Sequence, residues 1–318
     1  MLDFSHVLAT PGLDLQTFIG PTTTTLREWQ VWRKPRGVKF IYLIGVGGGG
    51  SGGTGVNSAT TSGGGAGGGS GAQTVVMIPA FMVPDTLYIQ CGAGGIGPTT
   101  SGAQGTVGQP TYVAIEPSTT LTANMTLLFA NPGAVTSVTV ATTVTGGQAG
   151  TAAAAATIAN MPLAGRGFYN FLAGQIGSVG GSSTTAGIAQ TLPATGLMVT
   201  GGTGGGGANG NAPSAGGVIN AVTGALGQDF FPATAGGVAA VLGTPASAGS
   251  SYITRNYLMN YGGTGGGGGT TTAGGTAGAG ATGAPGCGGG GGGGATTTNT
   301  TIGKGGDGGP GFVLIASW

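Results

Sequence analysis

Charge is almost missing from this sequence. Asp, Glu, Lys and Arg make up 5% of its 318 residues, against about 25% in an ordinary domain. The net charge is +1, so no long-range field gathers nucleic acid or acidic substrates. The same lack argues against charge-driven disorder, which needs many charges and few apolar residues. Solubility falls to Thr, Ser, Asn and exposed peptide groups. Histidine occurs once, as His6. A Ser-His-Asp arrangement therefore has one candidate base, in the N-terminal arm, with nothing placed around it. One His and two distant Cys give no zinc spacing, and the seven acidic residues are too dispersed to read as a carboxylate pair. An enzymatic, metal-binding or cofactor-binding role is not expected. Cys91 and Cys287 are the only cysteines, too few for a disulfide scaffold. They are expected as free, buried thiols, with a mutual pairing as the lesser alternative. No apolar run approaches the ~18 residues of a membrane-spanning helix. Met1–Phe18 carries Asp3 and Asp14 and lacks the basic start of a secretory signal. A soluble product or a component of an assembly is expected, without membrane insertion.

What fills the chain instead is glycine, 78 residues with 16 prolines. That content usually marks low complexity, and a disordered tail is the plain reading. Two stretches carry more order than composition alone provides. Side chains recur every third position at Thr264, Thr270, Ala273, Thr276, Ala279, Thr282 and Pro285, with Gly267 the one gap. Lys304, Asp307 and Pro310 are each separated by two glycines. Three residues per turn is the period of the polyproline-II helix, which has no internal hydrogen bonds. Its N–H and C=O groups must find partners outside the helix. Where two of three faces lack a Cβ, such helices can approach and bond laterally. Where all three do, as in Gly288–Gly294, a helix can be surrounded. Ordering a residue costs ~1–2 kcal/mol and a hydrogen bond returns only ~1 kcal/mol net. Such runs therefore order only within a cooperative bundle clamped by ordinary strands. The expected fold class is all-β, with short strands clamping bundles of polyglycine-II helix.

Along the chain, residues 1–36 read as a docking arm without clear periodicity. Arg27, Arg33, Lys34 and Arg36, with Lys39 just beyond the arm, are five of the eight basic residues in the whole chain. Trp29, Trp32, Arg33, Lys34 and Arg36 form the densest aromatic-basic cluster. They are read as a partner-docking site, because Trp and Arg are favoured interface anchors. The competing reading has the tryptophans capping the core. Residues 37–144 form a first strand and glycine-rich domain. Val38–Val46 is its best strand, apolar on nearly both faces and expected to be buried. Further strands are expected at Gln73–Ile78, Thr86–Cys91, Tyr112–Ile115, Met125–Ala130 and Val138–Val144, with a turn at Pro84-Asp85-Thr86. Residues 145–260 read as an insertion, with a short helix beginning at Ala152–Ala156 and ending by Pro162. Its aromatics Phe168, Tyr169, Phe171, Phe230, Phe231, Tyr252 and Tyr257 are read either as core or as receptor-facing residues suited to stacking on glycans. Residues 261–318 form a C-terminal glycine-rich bundle closed by the strand Phe312–Trp318. That strand and Val38–Val46 are expected to clamp the bundle from one sheet.

Glycine-rich ligand motifs fail on context. No G-x-G-x-x-G follows a strand and opens a helix with an acid downstream, and Gly303-Lys304 is followed by Gly305 rather than Ser or Thr.

Several features together carry a resemblance. Trp32-Arg33-Lys34-Pro35 leads to a strand, Gly47–Gly50 and Cys91-Gly-Ala-Gly-Gly95. The chain then closes with Pro285-Gly-Cys287, Gly288–Gly294, Gly305-Gly-Asp307-Gly-Gly-Pro-Gly311 and FVLIASW at Phe312–Trp318. Over roughly Trp32–Gly133 and Gly201–Trp318 the chain resembles glycine-rich domain proteins of tailed bacteriophages. The resemblance implies a virion component, a tail-fibre or tail-tip part contributing to host attachment. It also implies packed polyglycine-II helices with recognition loops at one end. The expected partners are other virion proteins through the arm, and host glycan or outer-membrane protein. A homo-oligomer, a trimer by preference, is expected, and no nucleic acid. The alternatives are a purely structural capsid or tail decoration protein and, remotely, an ice-binding protein presenting the Thr264–Thr282 row.

Overall fold

The structure is a computed structural model. It describes residues 14–22, 28–118, 125–134, 142, 145–156, 167–191, 197–220, 222–223, 229–231, 236–237, 260–269, 276–296 and 301–318. The strands in chain order are β1 (Asp14–Ile19), β2 (Gln30–Arg33), β3 (Phe40–Val46), β4 (Thr61–Ser62), β5 (Gln73–Pro79), β6 (Thr86–Gln90), β7 (Thr111–Ala114), β8 (Thr126–Ala130), β9 (Phe168–Leu172), β10 (Ala208–Asn209), β11 (Ala212–Pro213), β12 (Val222–Thr223), β13 (Asp229–Phe231) and β14 (Phe312–Ser317). One 3-10 turn, Ala80–Met82, joins β5 to the bend before β6. The chain is all-β, as its composition predicts.

Two antiparallel sheets carry the core. The larger has the order β1-β14-β3-β5-β9 and the smaller β2-β6-β7-β8. The expected pairing of the best strand with the closing strand is present, with Phe312 opposite Val46 and Ser317 opposite Ile41. Strand alternation divides the side chains of the larger sheet. Ile41, Leu43, Val76, Ile78, Val313 and Ile315 meet Trp32, Leu87, Ile89, Val113 and Leu128 of the smaller sheet in one buried cluster. Each such side chain contributes about 1.5–3 kcal/mol on burial. Alternation places position 45 on that inner face, where the Leu128 side chain leaves no room for a Cβ and glycine is required. On the outer face Ile44, Val46, Phe312 and Leu314 are covered by Leu197, Val199, Ala284 and Cys287. Two-sided burial explains why β3 and β14 are apolar at almost every position.

Several local expectations are corrected. The arm contains β1, which pairs with β14 from Asp14 opposite Ser317 to Ile19 opposite Phe312. Residues 151–156 form no helix. Their backbone bonds laterally instead, with Gly174 N–H donating to the Ala153 carbonyl at 2.9 Å. Most of Val138–Val144 lies outside the described residues.

Beyond the sheets, glycine segments from all along the chain pass back and forth beside one another. In the segment 48–56 that leaves β3, successive N–H groups donate to three neighbours in rotation. Gly49, Gly52 and Gly55 bond to Gly309, Gly306 and Gly303; Gly50, Gly53 and Val56 to Gly69, Ala66 and Gly63; Gly48, Ser51 and Thr54 to Gln109, Thr106 and Ala103. The bonding period is three, and all three neighbours run antiparallel.

The run 288–295 sits at the centre. It donates to three segments: from Gly288, Gly291 and Gly294 to Thr200, Thr203 and Gly206; from Gly289, Gly292 and Ala295 to Gly50, Gly53 and Val56; and from Gly290 and Gly293 to Ala281 and Gly278. Its carbonyls accept from three more, through the N–H groups of Gly65 and Gly68, of Gly263, Gly266 and Gly269, and of Gly303 and Gly306. These bonds measure 2.7–3.1 Å. Six neighbours leave no room for side chains. A Cβ on any of Gly288–Gly293 would stand 1.9–2.1 Å from a carbonyl oxygen.

At the bundle surface the three-residue spacing of side chains is visible in burial. Thr301, Lys304, Asp307 and Pro310 are exposed or half-buried while the glycines between them are buried. This segment runs beside 277–286, whose Ala277, Gly280, Gly283 and Gly286 donate to Thr301, Lys304, Asp307 and Pro310. The Thr264–Thr282 row, however, is not one face. Ala281 N–H donates to the Thr264 carbonyl of an antiparallel pass, and Thr264 is fully buried. Among the described residues of the row, Thr264 therefore shares no exposed face with Thr276 and Thr282.

Candidate functional site

The sandwich end away from the bundle gathers most of the side chains capable of recognition. On the smaller sheet, alternation in β2 turns Trp32 inward and Val31 and Arg33 outward. Trp32 is fully buried in the core, which is the capping reading, and it is withdrawn from any docking surface. Trp29 is half-buried, and Arg33 and Arg36 are exposed. Lys34 Nζ donates to the carbonyls of Ala80 (3.1 Å) and Val83 (2.7 Å) and pairs with Asp85 at 2.9 Å. It thus ties β2 to the 3-10 turn. Arg33, Arg36, Val31 and Tyr88 line a hollow of about 670 Å³ together with Lys34 and Asp85. The basic cluster is therefore divided: one tryptophan serves the core, one lysine is structural, and two arginines flank an open hollow.

On the opposite face of the sandwich the register of the larger sheet aligns a second group. Ala316, Tyr42, Met77 and Phe168 stand side by side across β14, β3, β5 and β9. In the next row Trp318 and Phe40 exchange backbone hydrogen bonds, with ring centroids 6.1 Å apart. Phe168 is 82% exposed, Trp318 43% and Phe40 39%. The segments that cover Ile44 and Val46 on this face leave these rings open.

Of the insertion aromatics, Phe168 alone is shown exposed. Tyr169 packs on the core, and its hydroxyl donates to the Leu127 carbonyl at 3.3 Å. Burial pushes its pKa up to about 12. Phe171 stacks on Tyr169 at 5.8 Å and packs toward Phe129 and Ala156. Phe230 and Phe231 belong to β13, which pairs with β12. Tyr252 and Tyr257 lie outside the described residues. Sequence reasoning missed Phe40, Tyr42 and Trp318 as surface residues. Their strands read as buried throughout, and only long-range register shows where the cover ends.

Among the described residues, the far tip of the bundle is chemically plain. The turns at 57–61, 99–102, 182–186 and 209–212 contain no charged or aromatic residue. Among the described residues no three His, Cys, Asp or Glu side chains converge, and no helix is long and apolar enough to cross a membrane. Cys91 and Cys287 are free and buried. Burial pushes the Cys91 thiol up to about 12 and raises that of Cys287 further.

A family profile described as a glycine-rich domain matches residues 23–318. The chain belongs to the glycine-rich domain family. The match takes in every strand of both sheets except β1, together with the glycine segments of the bundle. Compared with curated proteins, the sequence matches none.

Proposed function

We propose that this glycine-rich domain protein is a structural component of a tailed-bacteriophage virion, a tail-fibre or tail-tip part that contributes to attachment at the host surface. The observation that carries the reading is the central run 288–295, hydrogen-bonded to six neighbouring segments. A scaffold held by dense backbone bonding, with few charges and short turns, suits a stiff extracellular spike better than a regulated or catalytic domain. The three-fold bonded segments are polyglycine-II helices in this reading. Backbone chemical shifts near φ −75° and ψ +145° would test that conformation.

The hollow beside Arg33 and Arg36 and the start of β1 at Asp14 lie at the sandwich end, and docking onto other virion proteins through this end is part of the proposal. Self-association, as a trimer by preference, would cover further bundle surface. Purified protein added to host cells is expected to reduce phage adsorption, and antibodies against it to label particle tails. Unlabelled particles would remove the virion assignment. The plain tip favours a second reading, a fibre or decoration protein without receptor contact. In that case replacing Phe168 and the loops of 165–260 leaves adsorption normal and reduces particle stability.

A further inference from the structure

The outer face of the larger sheet ends in an aromatic shelf that the fold does not use. Phe40, Tyr42, Met77, Phe168 and Trp318 share that face through the register of β14, β3, β5 and β9. Tyr42 packs against the outer cluster, but core burial does not explain Phe168, Trp318 and Phe40, which are 82%, 43% and 39% exposed. Nor does backbone pairing, because the strands hold their register whatever side chain stands there. We propose that this shelf is a binding site for a neutral glycan, whose sugar rings lie flat on Phe168 and on the Phe40–Trp318 pair.

Shape, size and charge select that class of ligand. The rings stand on strands of one sheet, so they are rigidly spaced, with Phe40 and Phe168 two strands and two residues apart, roughly 12 Å. At 150–250 Å² per aromatic side chain, their exposed fractions sum to roughly 330 Å². A stable protein interface buries about 800 Å² per partner, so the shelf is too small for a second copy or a folded partner to rest on alone. It falls in the range of patches that are often functional on a monomer. Nucleic acid and acidic glycans need cations, and the described residues of these two rows, Ala316–Tyr42–Met77–Phe168 and Trp318–Phe40, include none. Neutral sugar rings present apolar C–H faces for stacking and hydroxyls at their rims. The next row supplies groups for those hydroxyls: Asn170, opposite Val75, and Thr17, opposite Leu314, are both exposed.

This inference rests on the attachment reading, and the test separates the two. Full-length protein is applied to an array of defined bacterial polysaccharides and neutral oligosaccharides, and the best binder is titrated by calorimetry. Phe168→Ala and Trp318→Ala are expected to lower affinity about tenfold each, as the loss of one stacking contact of about 1.4 kcal/mol implies. Trp318→Phe keeps a ring and is expected to stay within about threefold. Both positions are exposed, so unchanged thermal unfolding is the control for folding. No saturable binding on the array, binding only to acidic glycans, or binding indifferent to both alanine variants overturns the proposal. If Phe168→Ala protein still blocks phage adsorption as the wild type does, the attachment reading stands and the shelf is not its site. If neither protein binds sugar or blocks adsorption, both fail.

Discussion

Replacing Gly291 by Ala places one methyl group at the centre of the bundle. Its Cβ would lie 2.0 Å from the Gly65 oxygen, 2.5 Å from the Gly65 carbonyl carbon and 2.8 Å from the Gly205 nitrogen. Ordinary contact begins at 3.4 Å, so one backbone must retreat by about 1.4 Å, a distance no hydrogen bond tolerates. The Gly65 carbonyl accepts from Gly205 N–H at 2.8 Å, Gly65 N–H donates to Gly292 at 2.7 Å, and Gly291 N–H donates to Thr203 at 2.8 Å. Losing two or three such bonds in a buried setting costs about 1–3 kcal/mol each. Against this stands the smaller unfolded-state entropy of Ala, worth about 0.4–1 kcal/mol. The expected net destabilisation is about 3–5 kcal/mol by urea titration. Gly294→Ala is expected to cost less, because its nearest oxygen is 2.6 Å away. Thr282→Ala, on the exposed face of its segment, should stay within about 0.5 kcal/mol. A Gly291→Ala protein within about 1 kcal/mol of wild type would refute the reasoning, since the packing leaves no gap to absorb a methyl group.

Two further outcomes follow from the same contacts. Gly45→Ala should destabilise by about 1–3 kcal/mol through its clash with the Leu128 side chain, and Leu128→Ala by about 2–5 kcal/mol; combined, they should cost less than the sum, measured as a double-mutant cycle. Above pH 9 stability should fall by about 1.4 kcal/mol per pH unit for each buried thiol. The sign follows because the unfolded thiol ionises near 9.0 while Cys91 holds its proton to about 12 and burial raises Cys287 as well. Cys91→Ala should reduce that slope, whereas an unchanged slope would place the titration elsewhere.

The strands that form the sandwich were legible because β-branched and aromatic runs end at glycine or proline. Val38–Val46 and Phe312–Trp318 could be matched as clamps on composition alone. The period of three also anticipated lateral bonding, and the all-glycine run Gly288–Gly294 anticipated a surrounded position. What the sequence hides is which segment neighbours which. β1 looked like part of a formless arm because its partner β14 lies at the other end of the chain. The direction of Trp32 and of Tyr169 depends on which sheet face meets the core, and alternation alone leaves that open. Thr264 and Thr282 belong to one linear period in sequence but to neighbouring antiparallel passes, so the first is buried in the bundle and the second is exposed. The shelf at Phe40, Phe168 and Trp318 was hidden for the same reason, since it arises from register among four strands.

Amide hydrogen exchange of Gly288–Gly294 tests the central claim most directly. Each of these N–H groups donates to a neighbouring segment inside the bundle, so all seven should be among the slowest to exchange, alongside the amides of β3 and β14. Exchange at the rate of an unstructured glycine chain would contradict the account.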